Sequence, residues 1–336
     1  MLDNQLLTIA IPTYNRQSNL RKTLEQLRPQ LSSECRLSLL DNQSTPPVAE
    51  TQRELLDTFP KGSFEIFRHR ENIGANANII KCIEDAKTDW VWTLGDDELV
   101  RPDAVATILR NINANPDVTY MNFMLPWLAP RLAARGFGWD GFVNTMHQDS
   151  TTLISLNVYN RPRLTGHFRW AWLYSTSQLS QLAILYGALG SEGISYFSPD
   201  VILDGYAPHE EVKQSWPIVL HGIGRANLID MPMAYATRKL LITKLNNNFP
   251  IHPNVTMRLV IQALEERDSK DALYLYDMFC YRNFYFNRQL STRCKIIAYR
   301  LLVQFPRLGR WVIGKVLRKG NAWYERTRKN ESIDRI

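Results

Sequence analysis

The sequence predicts an α/β fold built on a largely parallel sheet with helices on both faces. Through the first 125 residues, short apolar runs rich in β-forming side chains alternate with segments whose apolar residues recur at helical spacing. That alternation is typical of parallel strands joined by helices that cross over the sheet. Ligands of such sheets bind at the carboxyl ends of the strands, so the loops that follow the strands are the candidate site.

Each element of this first region has its own signal. Strands are expected at residues 6–11, 37–40, 64–67, 91–94 and 118–124, where the apolar runs are too short for helices. Helices are expected around four sets of apolar residues, which are Leu20, Leu24, Leu27 and Leu31, then Leu55 and Leu56, then Ile79, Ile80 and Ile83, and finally Val105, Ile108, Leu109 and Ile112.

The remainder of the chain is less regular. Prolines and glycines interrupt residues 126–200 before a helix expected near residues 177–189, and we interpret this stretch as a substrate-facing extension. A further helix is expected at residues 211–220 and a strand at residues 227–229. From residue 255 onward the pattern is helical and increasingly basic.

Composition excludes several classes of protein. The chain has 336 residues, of which 45% are hydrophobic and 22% charged, as expected of a globular protein. Its four cysteines (Cys35, Cys82, Cys280 and Cys294) lie far apart, without a Cys-x-x-Cys pair or a histidine at ligand spacing, so neither a disulfide framework nor a zinc site is expected. We find no secretory signal and no apolar run approaching 18 residues, which predicts a cytoplasmic chain without a membrane span.

The C-terminal region is strongly basic. Residues 281–336 carry 14 basic and 3 acidic side chains, a local net charge of +11. Pro306 interrupts an apolar stripe, so two short helices are expected rather than one. Basic amphipathic helices of this kind lie on anionic membrane surfaces, although the stripe can instead pack on the protein's own body. No nucleic-acid motif accompanies the charge, so nucleic acid is not an expected partner. The stripe consists of Ile297, Leu301, Phe305, Leu308, Val312 and Val316.

Polar loops follow the first three predicted strands. Residues 12–16 read Pro-Thr-Tyr-Asn-Arg, residues 41–45 read Asp-Asn-Gln-Ser-Thr, and residues 71–74 read Glu-Asn-Ile-Gly. Each loop can be a simple turn that caps the next helix, with Asn15 or Ser18 as the cap after the first strand. Because such loops meet at one edge of a parallel sheet, they can equally line a common site.

The fourth predicted strand runs directly into Gly95, Asp96, Asp97 and Glu98. Three successive carboxylates repel one another unless a cation lies among them. Hard oxygen ligands at the carboxyl end of a strand suit Mg²⁺ or Mn²⁺ bridging a diphosphate. The alternative is that these residues are acidic because they precede the first turn of a helix near Pro102.

Taken together, these segments resemble family 2 glycosyltransferases, the inverting, nucleotide-sugar-dependent class with the metal-dependent GT-A fold. Residues 9–16, 40–45, 72–74 and 92–98 carry the match, in order and spacing across about the first 125 residues. The Asp-Asn-x-Ser-Thr and Leu-Gly-Asp-Asp forms are most similar to transferases of bacterial O-antigen and capsule polysaccharides.

The resemblance implies a role for each matching residue. It places three residues in the nucleoside pocket and a further pair near the nucleotide, with Asp41 hydrogen-bonded to the base or ribose. It also implies that the carboxylates of the Asp-x-Asp region bind the divalent cation and the sugar diphosphate. Leu94-Gly95 stand where many relatives carry an acidic residue, so which carboxylate contacts the metal stays open. The pocket residues are Pro12, Thr13 and Arg16, the pair is Asn72 and Gly74, and the carboxylates are Asp96, Asp97 and Glu98.

Inverting transfer also needs a base that deprotonates the acceptor hydroxyl. In this family the base usually lies in an acidic pair before a helix in the second half of the domain, and Glu210 and Glu211 resemble that pair. Residues 227–232 likewise resemble the strand that follows the base helix. The two glutamates can instead be ordinary first-turn acids, and Asp204 is a further candidate for the base.

The expected function is transfer of a sugar, with UDP-sugar as the default donor, to a glycan or lipid-linked acceptor at the cytoplasmic face of the membrane. We divide the chain into a donor half at 1–125, an acceptor-facing half of the same catalytic domain at 126–250, and a helical basic region at 251–336. Two alternatives are a catalytically silent membrane scaffold and a sugar nucleotidyltransferase, although no Gly-rich basic loop follows the first strand. Residues 309–316 resemble a phosphate-binding loop in sequence, but Val316 stands where such a loop has a Ser or Thr hydroxyl that binds magnesium.

Overall fold

The structure is a computed structural model that describes residues 5–128, 130–177, 179–206, 227–247, 277, 281 and 290–319. The chain divides into two compact units, Met1–Lys213 with Met233–Lys244, and Gln214–Pro232 with Leu245–Ile336. The first unit contains both sheets. None of the helices formed by the described residues is long and apolar enough to cross a membrane.

The first half of unit one alternates strands and helices as the sequence predicts. Its elements are β1 (Leu7–Thr13), α1 (Gln17–Leu27), β2 (Cys35–Asp41), α2 (Val48–Thr51), α3 (Arg53–Leu56), β3 (Phe64–Arg68), α4 (Ala75–Glu84), β4 (Trp90–Thr93), β5 (Glu98–Val100), α5 (Ala104–Ala114) and β6 (Tyr120–Met124). All five predicted strands and the helices between them are confirmed.

The second half of unit one is made of shorter elements. They are β7 (Ala134–Phe137), α6 (Gly138–Thr145), α7 (Gln148–Thr152), β8 (Asn157–Asn160), α8 (Arg161–Leu164), α9 (Phe168–Leu173), α10 (Ser180–Leu189), β9 (Ile194–Val201), β10 (Leu203–Tyr206) and, at the unit boundary, α11 (Tyr235–Asn247). The helix predicted near residues 177–189 is confirmed as α10, preceded by a short 3₁₀ turn at Ser175–Ser177.

Eight strands form the main sheet in the order β3-β2-β1-β4-β8-β6-β9-β7. Strands β3, β2, β1 and β4 are parallel neighbours, whereas β8 runs antiparallel to both β4 and β6 and β7 runs antiparallel to β9. The sheet is therefore mostly parallel, which confirms the predicted fold class. Strands β5 and β10 form a separate antiparallel pair.

Alternation along β1 buries opposite faces of the sheet against different helices. Leu7, Ile9 and Ile11 belong to a large apolar core that includes residues of α1 and α5. Ala10, on the other face, lies in a smaller cluster with Cys82 of α4 and Val91 of β4. Because side chains of a strand point alternately to its two faces, a strand covered on both sides is apolar throughout.

The start of α1 differs from the prediction. Strand β1 continues through Pro12 to Thr13, because only β2 pairs with it there and the missing proline N–H breaks no bond to β4. Helix α1 then begins at Gln17, and no side chain caps it. The predicted cap by Asn15 or Ser18 is therefore wrong. The amide oxygen of Asn15 instead accepts a hydrogen bond from the Thr45 backbone N–H at 2.7 Å.

The described residues of unit two form two further helices, α12 (Leu290–Gln304) and α13 (Pro306–Lys319). Pro306 is the first residue of α13, a position where its missing N–H has no helical partner to lose. The prediction of two helices is thus confirmed. The strand predicted at residues 227–229 is wrong, since Asn227–Asp230 form a 3₁₀ turn followed by a local bond from Met231 N–H to the Leu228 carbonyl. The helix predicted at residues 211–220 lies outside the described residues.

Candidate functional site

The polar loops after β1, β2 and β4 meet at one edge of the sheet, because these three strands are parallel neighbours. Thr13, the last residue of β1, stands opposite Asp41, the last residue of β2. The loop after β4 is tied to β1 by a 2.9 Å bond from Leu94 N–H to the Ala10 carbonyl. The topology thus brings together residues that are 80 or more positions apart in sequence.

A guanidinium lies between two adjacent carboxylates at this edge. Arg16 Nη1 is 3.1 Å from Asp96 Oδ1 and 3.0 Å from Asp97 Oδ2. The Thr13 hydroxyl donates to the second oxygen of Asp96 at 2.7 Å. Arg16 is therefore a cation shared by two of the three successive carboxylates, and it connects the β1 loop directly to the β4 loop.

Burial and charge act in opposite directions on this cluster. Desolvation by burial raises the pKa of Asp96 to about 6, against the lowering effect of Arg16 and with a further raising contribution from Asp97. Burial would lower the pKa of Arg16, but the two carboxylates together raise it above its usual value. Two acidic side chains that share one guanidinium form a site suited to a further cation.

Glu98 is held apart from this pair. It is almost fully buried, its Oε1 accepts a hydrogen bond from the Ser155 hydroxyl at 2.5 Å, and its Oε2 has no hydrogen-bond partner in the described structure. Burial raises its pKa to about 8, opposed by the bond from Ser155 and assisted by repulsion from Asp97 and Asp96. Glu98 is therefore mostly neutral at pH 7.

Asp41 organises its own loop. Its fully buried carboxylate accepts hydrogen bonds from Ser44 N–H at 2.7 Å and Val48 N–H at 3.2 Å, and it forms an ion pair with Arg68 at 3.1 Å. Nearby, the Ser44 hydroxyl accepts from Asn15 N–H at 3.0 Å, which links this loop to the β1 loop. The predicted contact of Asp41 with a base or ribose stays a prediction.

The loop after β3 is joined to the β2 loop through a pair of asparagines. Asn42 donates to Asn72 Oδ1 at 2.8 Å and accepts from Ile73 N–H at 2.9 Å. Gly74 also donates its N–H to Asn72 at 2.9 Å and has a φ of 84°, in the left-handed region that glycine adopts without strain. Asn72 and Gly74 therefore border the same edge as the acidic cluster, and Asn42 is a connecting residue that the sequence alone did not single out.

The residues present fit a metal shared with a ligand better than a metal held by the protein alone. The described residues contain no group of three His, Cys, Asp or Glu side chains placed to hold a metal ion. Mg²⁺ and Mn²⁺ in phosphate sites often use one or two carboxylates, with phosphate and water oxygens completing the shell. Asp96 and Asp97 meet that requirement, and Asp97 has the more exposed side chain, 16% against 6%.

The candidates for the base are not joined to this cluster by any described contact. Glu210 and Glu211 lie outside the described residues. Asp204, on β10, is more than half exposed and forms an ion pair with Arg101 at 3.2 Å. Its pairing with a surface arginine gives it a structural partner of its own.

The buried Glu98 carboxyl generates a pH prediction for stability. Its pKa in the folded state is about 8, above its ordinary value of 4.5, so its favourable contribution is complete below pH 4.5 and is lost as pH rises through 8. Glu98→Gln cannot ionise and keeps the acceptor for Ser155. Its melting temperature relative to the unsubstituted protein should rise by on the order of 5 °C between pH 5 and pH 9. A difference that stays constant over this range in scanning calorimetry would contradict the prediction.

Part of the chain is similar to known glycosyltransferases. Residues 8–131 match the sequence profile described as Glycosyl transferase family 2. An uncharacterized glycosyltransferase of Haemophilus influenzae is 28% identical over 116 residues, covering 34% of this chain and 37% of that protein. The abequosyltransferase RfbV of Salmonella typhimurium is 25% identical over 118 residues, 34% of each protein. The chain thus matches about a third of the length of these curated relatives.

Solved structures share the fold. S. aureus TarS 1-349, solved in complex with UDP-GlcNAc, has a TM-score of 0.54 and 12% identity over 92% of each chain. The mannosyltransferase PcManGT from Pyrobaculum calidifontis, solved with GDP-Man and Mn²⁺, has a TM-score of 0.50 and 14% identity over 89% of this chain and 87% of that one. The likeness confirms the predicted GT-A architecture. Through residues 8–131, the chain is similar to the family 2 glycosyltransferases.

Proposed function

We propose that the protein is an inverting, metal-dependent glycosyltransferase that moves a sugar from a nucleotide-sugar donor to a glycan or lipid-linked acceptor in the synthesis of a bacterial surface polysaccharide. One observation carries the proposal: the linked cluster of Thr13, Arg16, Asp96 and Asp97 at the carboxyl ends of β1 and β4, inside a family 2 domain. The names of RfbV and TarS support the choice of donor chemistry and the bacterial setting.

The donor would lie along the shared edge of β1, β2 and β4. Pro12, the Asp41 loop and the Asn72–Gly74 turn would contact its nucleoside end. Hydrogen bonds already link the Asp41 loop to the Asn72–Gly74 turn. The two aspartates would face the donor's diphosphate end, and Arg16, which the resemblance assigns to the nucleoside pocket with Pro12 and Thr13, lies against them. UDP is the default nucleotide, since TarS was solved with UDP-GlcNAc, and GDP is the second choice from PcManGT.

The metal would be held by Asp97 and Asp96 together with the donor diphosphate. A bound Mg²⁺ or Mn²⁺ supplies positive charge where negative charge develops on the leaving diphosphate. Arg16 adds a fixed positive charge next to the same carboxylates. The Thr13 hydroxyl orients Asp96, so its oxygens cannot rotate away from the edge of the sheet.

Transfer itself needs a proton acceptor on the opposite side of the anomeric carbon. In this proposal Glu210 or Glu211 takes the proton of the acceptor hydroxyl while its oxygen forms a bond to the anomeric carbon. The bond from that carbon to the diphosphate oxygen breaks at the same time, and the nucleoside diphosphate leaves with both electrons. The configuration at the anomeric carbon is thereby inverted.

Peripheral attachment to an anionic membrane would bring the enzyme to a lipid-linked acceptor. In α12 and α13, Ile297, Leu301, Leu308 and Trp311 are each 45–57% exposed. Arg307, Arg310 and Lys315 of α13 are also exposed, and the Lys315 ammonium lies 4.1 Å from the centre of the Trp311 ring. Exposed apolar side chains beside cationic ones favour the boundary between lipid headgroups and acyl chains.

The metal assignment predicts that Asp97→Asn lowers the rates of metal-dependent donor hydrolysis and sugar transfer by about 10²-fold or more. The reason is that a neutral amide is a poor ligand for a hard divalent cation. Folding should be preserved, since Arg16 keeps its bond to Asp96. The matched control is Asp117→Asn, which also removes a carboxylate paired with an arginine, Arg135, away from the site. If Asp97→Asn turns over at the rate of the unsubstituted protein, the proposed metal site is wrong. If the unsubstituted protein hydrolyses no donor, a catalytically silent scaffold is favoured.

The base assignment predicts that Glu210→Gln or Glu211→Gln slows sugar transfer by about 10² to 10⁴-fold, because an amide cannot accept the acceptor's proton. Binding of the nucleoside diphosphate should change by less than twofold in the same variant. Glu192→Gln, at an exposed glutamate in unit one, is the control. If both single variants lose less than tenfold in transfer rate, the base is another residue, with Asp204 the first to test.

The membrane assignment predicts that replacing Arg307, Arg310 and Lys315 with Gln weakens binding to anionic vesicles by on the order of 10²-fold, since each basic side chain near such a surface contributes about 1 kcal/mol. Co-sedimentation with anionic and neutral vesicles measures this, and binding should fall as salt rises because charges are screened. Trp172→Ala, at an exposed tryptophan of α9, is the control for loss of surface apolar area. Equal binding by the triple variant and the unsubstituted protein would show that α13 does not face the membrane.

A further inference from the structure

Hydrogen bonds from Ile154 and Ser155 hold the end of β4 and the acidic turn that follows it. The Ser155 hydroxyl accepts a hydrogen bond from Gly95 N–H at 2.9 Å and donates one to Glu98 Oε1. The Ser155 carbonyl accepts from the Trp92 indole N–H at 2.8 Å, and the Ile154 carbonyl accepts from the Thr93 hydroxyl at 2.8 Å. Ser155 is completely buried, so these contacts are made without competing water.

The same turn is fastened from its other side by α1. The Thr23 hydroxyl donates to the backbone carbonyls of Asp96 and Glu98, at 3.1 and 3.3 Å. The turn is thus held by Ser155 at its first and last residues and by Thr23 at its backbone. The side chains of Asp96 and Asp97 remain directed to Thr13 and Arg16.

Packing around Gly95 shows how closely these groups fit. A methyl group placed at its Cα would lie 3.1 Å from Asp97 Oδ1, 3.2 Å from Glu98 Oε1 and 3.2 Å from Ser155 Oγ. Such distances are shorter than ordinary contacts between a methyl carbon and oxygen, so a side chain here would displace one of the three. The bare glycine allows a carboxylate of the proposed metal pair and the Ser155–Glu98 bond to share one small space.

The buried position of Glu98 is energetically unfavourable unless its hydrogen bond to Ser155 has a role. Burying a carboxyl group is unfavourable unless hydrogen bonds replace the lost contacts with water, and Glu98 is buried. Its second oxygen gains no hydrogen bond from the described residues in return. Its one polar side-chain contact is the hydroxyl that also holds Gly95.

We propose that Ser155 and Glu98 are positioning residues that set the Asp96–Asp97 pair for the metal and the donor diphosphate, and that Glu98 is not itself a metal ligand. The inference rests on the proposed function. Ser155 fixes the turn through Gly95 N–H, and Glu98 fixes the Ser155 hydroxyl. Because displacement of a binding group by about 1 Å can cost 10²-fold in rate, loss of this bond should weaken the metal site without removing any metal ligand.

The test compares binding of a nucleoside diphosphate with and without Mn²⁺, measured by calorimetry, using whichever of UDP or GDP binds the unsubstituted protein more tightly. Ser155→Ala should weaken the Mn²⁺-dependent binding by at least tenfold and leave binding in EDTA within twofold. Ser195→Ala is the matched control, because it removes another fully buried hydroxyl, one that donates to the Gly136 carbonyl at 3.1 Å. It should change neither measurement.

Two variants of Glu98 keep the proposal decidable if Ser155→Ala does not fold. Glu98→Gln retains an oxygen acceptor for the Ser155 hydroxyl and should retain Mn²⁺-dependent binding within threefold, whereas Glu98→Ala should lose at least tenfold. Loss of that binding in Glu98→Gln as severe as in Asp97→Asn would mean that Glu98 is a ligand and would overturn the proposal. So would a Ser155→Ala or Glu98→Ala protein that binds normally. If the unsubstituted protein shows no gain from Mn²⁺ with either nucleotide, the proposed function itself fails.

Discussion

The contact of the Arg16 guanidinium with Asp96 and Asp97 is the interaction on which the candidate site depends. Two adjacent carboxylates with little exposure to solvent would otherwise repel each other. The guanidinium opposes the effect of burial on Asp96, whose pKa rises only to about 6. The same contact joins the loop after β1 to the loop after β4, so the electrostatics and the shape of the edge have one common cause.

Other contacts at this edge serve that arrangement. Both carboxylate oxygens of Asp41 accept hydrogen bonds from its own loop, and one also forms an ion pair with Arg68. Ser155 and Thr23 hold the acidic turn from opposite sides. A preformed arrangement of this kind lowers the cost of ordering side chains when a charged ligand binds. It is also typical of sites that stabilise developing charge with fixed groups.

Local sequence patterns predicted most of the first half of the fold. The apolar runs and the leucine spacing of α1 located the strands and helices, because each pattern reflects one buried face. Contacts between residues distant in sequence could not be predicted from local patterns. Nothing near Gly95 indicates that Ser155, sixty positions later, accepts its N–H. Nothing near Asn15 indicates that its amide oxygen accepts a hydrogen bond from Thr45 instead of capping α1. The strand predicted at residues 227–229 is instead part of a 3₁₀ turn at Asn227–Asp230, because a short apolar run fits either structure when its pairing residues are unknown.

We propose that the edge formed by β1 and β4 binds a nucleoside diphosphate together with a divalent cation. Calorimetric titration of the full chain with UDP and with GDP, in Mn²⁺ and in EDTA, tests this binding. We expect one of the two nucleotides to bind at least tenfold more tightly in Mn²⁺, because Asp96 and Asp97 would hold the cation near the diphosphate. Equal affinity with and without the metal for both nucleotides, or no binding of either, would contradict it.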